Sequence, residues 1–155
     1  MKRLNQMIGL PVTCGERRLG VVASLCLSPD ARQLTGMNLR RAFRGCVFIP
    51  GAHIRALADE QIEITPAAVQ KAQKATRLGA ACDGKGFKLG LITDAAIEER
   101  SLRVEALEIS FGPLDDLMRG RCWFRRFTVD PVTGEVVVSV EEKEGVSKLE
   151  RGRPS

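Results

Sequence analysis

The sequence predicts a mainly β protein: two small β-barrels in tandem, related by internal duplication and joined by a short helix. Three observations predict it. The first is a repeat. Leu19-Gly20-Val21-Val22 returns as Leu89-Gly90-Leu91-Ile92, an offset of 70 positions that holds without a gap from Ile8/Leu78 through Arg40/Ser110. Gly9 falls on Gly79 and Gly20 on Gly90, while Val22, Leu27, Leu34, Met37 and Leu39 fall on Ile92, Ile97, Val104, Leu107 and Ile109. Glycines and apolar residues keep register while charges vary, as a duplicated backbone and core require. The second observation is that apolar residues alternate with others over short runs bounded by turn chemistry. The third is that the one strong helix signal lies between the copies.

The first copy opens with Met7-Ile8-Gly9-Leu10-Pro11-Val12, a short strand whose proline suggests a sheet edge. A charged turn at Glu16-Arg17-Arg18 leads into Leu19 to Leu27, where Leu19, Val21, Ala23, Leu25 and Leu27 alternate. Ser28-Pro29-Asp30-Ala31-Arg32 carries turn chemistry, because proline fixes φ and aspartate bonds its own backbone two residues on. Leu34, Met37 and Leu39 complete a hairpin. Gly45 to Pro50 is a compact apolar strand stopped by proline, and Ile62 and Ile64 mark the strand that closes the copy. Five short strands with tight turns imply a sheet that curls into a barrel, since closure removes exposed edges.

Between the copies, Thr65 can cap a helix with Pro66 at its first position, and Ala67 to Arg77 lacks an interior glycine or proline before Leu78-Gly79 ends it. Its narrow stripe of Ala68, Val69, Ala72 and Ala75 suits a connector. The second copy repeats the hairpin with Glu98-Glu99-Arg100-Ser101 at its turn, then carries a longer loop, Phe111 to Gly120. Aligning Gly45 with Gly120 raises the offset to 75 there. Cys122-Trp123-Phe124 restores the strand, and Val129 to Val140 closes the copy around an Asp130-Pro131-Val132-Thr133-Gly134 turn, with Val136, Val138 and Val140 alternating. The expected units are residues 1–65, a first barrel; 66–77, a helical connector; 78–141, a second barrel; and 142–155, a flexible tail without apolar periodicity.

The chain has 155 residues, and two copies of roughly 70 sit near the lower limit for independent cores, so they are expected to pack on each other. A net charge of +5 is compatible with an acidic partner, but reads better as a solubility device, because a partner claim requires a clustered patch. No apolar run approaches the ~20 residues that span a bilayer, and the first residues lack a sustained signal-peptide core, so the expectation is a cytoplasmic protein with no membrane partner. The five cysteines, Cys14, Cys26, Cys46, Cys82 and Cys122, are odd in number, far apart and never form a CxxC pair. That spacing argues against a disulfide framework or a zinc site.

These residues resemble the PRC-barrel family, a small β-barrel found in the photosynthetic reaction centre H subunit and in a ribosome maturation factor. Three features carry the resemblance. Each copy opens with a glycine followed by a Leu-Gly step, Gly9 with Leu19-Gly20-Val21-Val22 and Gly79 with Leu89-Gly90-Leu91-Ile92. The hairpins lead to Gly36-Met37-Asn38-Leu39 and Ala106-Leu107-Glu108-Ile109, and the first copy has a strand ending in Ile49-Pro50 followed by His53-Ile54. Asp94 stands where the family often has an acidic residue; Ser24 replaces it in the first copy, and Trp123-Phe124 replaces the Ile-Pro step in the second. The resemblance implies a tandem PRC-barrel binding module, and it brings short sporulation-associated members of the family to mind. None of the matched positions is catalytic in the family.

Enzyme chemistry finds little footing. His53 is the single histidine and sits beside an apolar turn, Asp115-Asp116 reads better as a solvated turn or helix start than as a cation site, and Gly84-Lys85-Gly86 lacks a phosphate-loop frame. No catalytic, cofactor-binding or metal-ligating residue is therefore assigned. Binding features are more informative. Arg40, Arg41 and Arg44 surround Phe43, and Arg119, Arg121, Arg125 and Arg126 surround Trp123 and Phe124 in the matching region. Arginines beside aromatics anchor protein interfaces and also stack on bases, so the leading expectation is a non-enzymatic adaptor that docks a protein, with RNA or ribosome association as the alternative. If instead the aromatics fill the barrels, the arginines simply face water. A pseudo-twofold arrangement could bring both clusters onto one face. The oligomeric state is left open, a homodimer included.

Overall fold

The computed structural model describes residues 1–66 and 69–139. In chain order its elements are β1 (Lys2–Arg3), α1 (Leu4–Met7), β2 (Pro11–Cys14), β3 (Arg17–Leu27), β4 (Leu34–Arg41), β5 (Gly45–Pro50), a 3-10 turn at Gly51–His53, β6 (Ile54–Leu57), β7 (Ile62–Ile64), β8 (Gln70–Lys71), β9 (Ala80–Cys82), β10 (Lys88–Ile97), β11 (Val104–Ser110), α2 (Pro113–Arg119), β12 (Cys122–Phe124), β13 (Phe127–Val129) and β14 (Val136–Val138). The protein is mainly β. Among these residues no helix is long and apolar enough to cross a membrane.

The strands form two seven-stranded sheets. One runs β6-β7-β2-β3-β4-β5-β8; the other runs β13-β14-β9-β10-β11-β12, with β1 paired to β10. Six strands follow the same plan in both, and the seventh differs, β8 pairing with β5 but β1 with β10. In each half the opening strand lies parallel to the closing one, Val12 beside Ile62 and Ala81 beside Val136. Register irregularities recur at matching places, between Val22 and Ser24 in β3 and between Ile92 and Asp94 in β10. The step to an offset of 75 is also present, with Leu39 opposite Val47 and Ile109 opposite Cys122. One detail departs from the sequence alignment. Val12 lies opposite Gly20 but Ala81 lies opposite Gly90, so the opening strands match one position short of the offset that holds elsewhere. Gly79 consequently takes the place of Leu10, each carbonyl accepting from the amide of Ile92 or Val22.

The repeated Leu-Gly step has a direct physical cause. A Cβ on Gly20 would stand 2.5 Å from the carbonyl oxygen of Arg40, and one on Gly90 would press still closer on that of Ser110. Only glycine lets these strands cross so near their partners.

Two expectations are corrected. Among the described residues hydrogen bonding closes neither sheet: the first ends at β6 and β8, the second at β13 and β12. Closed barrels are unnecessary because one cluster of buried residues, including Leu25, Leu34, Met37, Ile97, Val104 and Leu107, runs through both halves and covers the inner faces. The connector is not a helix over residues 69–77, while Ala67 and Ala68 lie outside the described residues. Its backbone is drawn onto the first sheet instead. Gln70 and Lys71 pair with Phe48 and Val47. The buried Asn38 donates to the Gln73 carbonyl at 2.7 Å and accepts from its amide at 2.9 Å. The Thr76 hydroxyl accepts from the Leu27 amide at 2.7 Å. An alanine-rich stripe offers a helix little apolar area to bury, and sheet extension satisfies the same backbone groups.

Two smaller differences follow the same logic. Pro11 is not at an edge: β2 lies between β7 and β3, with proline tolerated at the strand's first residue because parallel pairing starts at Val12. Part of the longer loop of the second copy forms α2. Val140 and the tail 142–155 lie outside the described residues.

The halves exchange their leading segments. β1 and α1, which precede the first half, pack on the second: Lys2 and Arg3 pair with Ile97 and Ala96, and Asn5 bonds Asp94 and Thr93. The segment that precedes the second half packs on the first. Lys2 also ties the halves together, its ammonium reaching the Ala58 carbonyl at 3.2 Å and the Asp59 carboxylate at 2.6 Å.

Candidate functional site

The close approach at Gly20 positions one end of the first sheet. There β4 runs out as Arg40-Arg41, and the chain turns back through Ala42-Phe43-Arg44, the Arg44 amide donating to the Arg41 carbonyl at 3.4 Å. Phe43 sits at the corner with φ 60, a left-handed conformation that costs a bulky residue of order 1–2 kcal/mol. Its ring is fully exposed. Beside it a groove of about 530 Å³ is lined by Arg18, Leu19 and Val21 on one wall and Arg40, Arg41 and Phe43 on the other. Arg18, Arg40 and Arg44 are exposed, and none of these arginines makes an ion pair among the described residues. Arg41 is half-buried, and its Nε has no hydrogen-bond partner. The groove therefore offers uncompensated positive charge beside an aromatic face, and it suits acidic or phosphate-bearing groups.

The matching end of the second half is built differently. Ser110 and Phe111 stand where Arg40 and Arg41 stand in the first, and the inserted α2 folds over them. Asp116 in its first turn accepts from the Ser110 hydroxyl, from the Phe111 amide at 3.2 Å and from Arg121 Nε at 3.4 Å. These bonds, the Ser110 hydroxyl foremost, hold the Asp116 carboxyl below its usual range. Arg121 also donates to the buried Glu108 at 3.3 Å and is held in its charged form chiefly by that bond. Its charge is spent internally.

The structure thus separates the residues that the sequence brackets together. Trp123 and Phe124 are buried: Trp123 packs with Ala96 and Ala106 under the Arg3 guanidinium, 5.3 Å from the ring centre, and Phe124 meets Phe111 edge-on at 6.4 Å. Arg119 is exposed at the end of α2, above a small cleft with Leu89 and Phe111. Arg125 and Arg126 are exposed and lie with Arg32, at the hairpin-turn end of β4; Arg32 donates to the Arg125 carbonyl at 3.3 Å. Arg40 and Arg41 occupy the other end of that strand, roughly 20 Å away at ~3.3 Å per residue. Arg125 and Arg126 therefore do not share a patch with Arg40 and Arg41. Phe43 is the member of the aromatic trio that reaches solvent.

Two features escape sequence reasoning. α2 exposes Leu114, Leu117 and Met118, whose i, i+3, i+4 spacing is a legible helical stripe once a helix is admitted there. A cavity between the halves, beside Asp94, has no signal in any single segment. His53 belongs to the 3-10 turn, its Nδ1 3.3 Å from the Thr65 hydroxyl. Asp83 accepts from the amides of Lys85 and Phe87, making Gly84-Lys85-Gly86 a hairpin turn. All five cysteines are free thiols, and among the described residues no group of three or more His, Cys, Asp or Glu is placed to hold a metal ion.

Fold and surface define a mainly β protein of two sheets with one basic, aromatic-tipped groove. No family model matches the chain, and no curated protein matches it.

Proposed function

We propose that the chain is a non-catalytic adaptor, a duplicated unit of PRC-barrel type acting in the cytoplasm, whose basic groove docks a protein partner carrying acidic side chains around an apolar anchor. The observation that carries the reading is Phe43, held fully exposed in a left-handed conformation between arginines that make no ion pair among the described residues. Local strain at an exposed aromatic is retained where the residue has work to do outside the fold. The common strand plan of the two sheets supports duplication.

A protein partner is favoured over RNA because Phe43, Leu19 and Val21 give the groove an apolar part that suits a protein interface, and a single aromatic gives a strand of bases little to stack on. Selection from a displayed library of random peptides tests the reading. Enriched peptides should be acidic with an apolar centre, and Phe43→Ala or Arg40→Glu should cut their binding at least tenfold. Recovery of no acidic peptide, together with binding of a single-stranded RNA oligonucleotide that weakens steeply with salt, would transfer the site to RNA.

A further inference from the structure

The cavity between the halves is about 280 Å³. Its lining includes Ser24 and Asp94, which the repeat offset pairs, together with residues of both leading segments. The exchanged leading segments supply Leu4, Asn5, Ile8, Ala75, Thr76 and Leu78. Strands β3 and β10 supply the rest, so the pocket exists only because the halves are assembled this way.

Its walls are apolar apart from a few groups, and those are not symmetric. Ser24 is already engaged, its hydroxyl accepting from Asn38 Nδ2 at 2.9 Å. Asp94, in the equivalent place, is 4% exposed. Its Oδ1 accepts from the amides of Asn5 at 3.1 Å and Ala95 at 2.8 Å, while its Oδ2 accepts no hydrogen bond from the described residues. No cation forms an ion pair with it among those residues; Arg3 attracts its charge from beyond ion-pair distance, and the Glu108 carboxylate opposes it. The Asn5 side-chain amide donates to the Thr93 carbonyl at 3.0 Å, which leaves its own oxygen as a second acceptor. A buried carboxylate with half its acceptor capacity unspent is costly unless a donor meets it, and the acceptors here outnumber the donors.

We propose that this cavity is a binding site for a small primary amine with a short apolar tail, its ammonium on Asp94 Oδ2 and its tail against Leu25, Leu27 and Ile92. The size agrees: a cavity near the lower end of the ~300–1,000 Å³ range of ligand pockets admits a small molecule and excludes a peptide. Burial, the main influence on Asp94, pushes its carboxyl up, and an arriving ammonium would reverse that. This site is separate from the basic groove, so either assignment can fail alone.

Amide NMR titration of the full chain with n-pentylamine, n-pentanol and n-pentanoate tests the proposal. Pentylamine should shift the amides of Asn5, Ile8 and Ala95 and bind at least tenfold more tightly than pentanol, with pentanoate weakest. Asp94→Asn should abolish the preference for the amine while leaving pentanol unchanged. Ala75→Phe, which fills the cavity and leaves Asp94 in place, should abolish the binding of both. Absence of pentylamine binding, equal affinity for amine and alcohol, shifts confined to residues 18–43, or amine binding that survives Ala75→Phe would each overturn it.

Discussion

Gln33 and Arg103 face each other across an isolated antiparallel bridge, and they are equivalent residues of the two halves. On either side the Leu34 amide donates to the Leu102 carbonyl and the Val104 amide to the Arg32 carbonyl, both at 2.9 Å. Leu34 corresponds to Val104 and Arg32 to Leu102, so each half gives the other the bond that it receives. Such reciprocity is the mark of an isologous contact, here made within one chain.

Arg32 breaks that symmetry and fastens the halves. Its guanidinium lies 3.8 Å from the Phe127 ring centre and donates to the carbonyls of Arg125 and Phe127. Arg32→Ala should lower stability by about 2 kcal/mol, the sum of a charged hydrogen bond and a cation–π contact. Arg44→Ala, at an exposed position without an ion pair, should stay within ~0.5 kcal/mol. Urea unfolding of the two variants checks the contrast.

The Leu-Gly steps should be intolerant in both halves. Gly20→Ala and Gly90→Ala each drive a methyl into a carbonyl oxygen across the sheet, and overpacking of this kind costs about 1–3 kcal/mol. Gly84→Ala, where a Cβ meets nothing within 4 Å, is the control and should be near neutral in a thermal melt.

Acid should weaken the second hairpin through Glu98. Its carboxylate accepts from the hydroxyl and amide of Ser101 and from the Arg100 amide, which hold its pKa down to about 2. A depressed folded value contributes stability above the unfolded value of ~4.3, lost as pH falls towards about 2. Glu98→Gln should make stability less steep across that window. Asp94 works in the opposite sense. Its raised value contributes stability while it is protonated, lost as pH rises through the folded value, so Asp94→Asn should gain on the parent as pH rises. Unfolding midpoints against pH read both signs.

Phe43 should be expendable for folding. Its ring buries nothing, and Phe43→Gly relieves a left-handed residue while adding chain entropy to the unfolded state, so stability should be unchanged or higher by up to about 1 kcal/mol. A marked fall in the thermal midpoint would show that the ring has a structural role.

The sequence by itself determined what depends on neighbours along the chain. The strand at Leu19–Leu27, the Leu-Gly steps, the two hairpin turns and the jump in offset after Ser110 are local patterns, and each is found where the pattern puts it; the strict alternation is not, because the irregularity between Val22 and Ser24 turns the strand over, so that Val22 is buried and Val21 and Ala23 are only partly so. The choice of partner was decided only by the tertiary structure. Helix chemistry yielded over residues 69–77 to sheet pairing and to Asn38, because a backbone that bonds an existing edge needs no nucleus of its own. Trp123 and Phe43 read alike as aromatics among arginines. Trp123 lies within β12 and is buried on Ala96 and Ala106 beneath Arg3 of the leading segment, whereas Phe43 sits on the bare turn where β4 ends. Arg121 loses its free charge to Glu108 and Asp116, and the Asp94 cavity arises where leading segments cross between halves. These are contacts between residues far apart in the chain, and the energy that selects them is not written in any one segment.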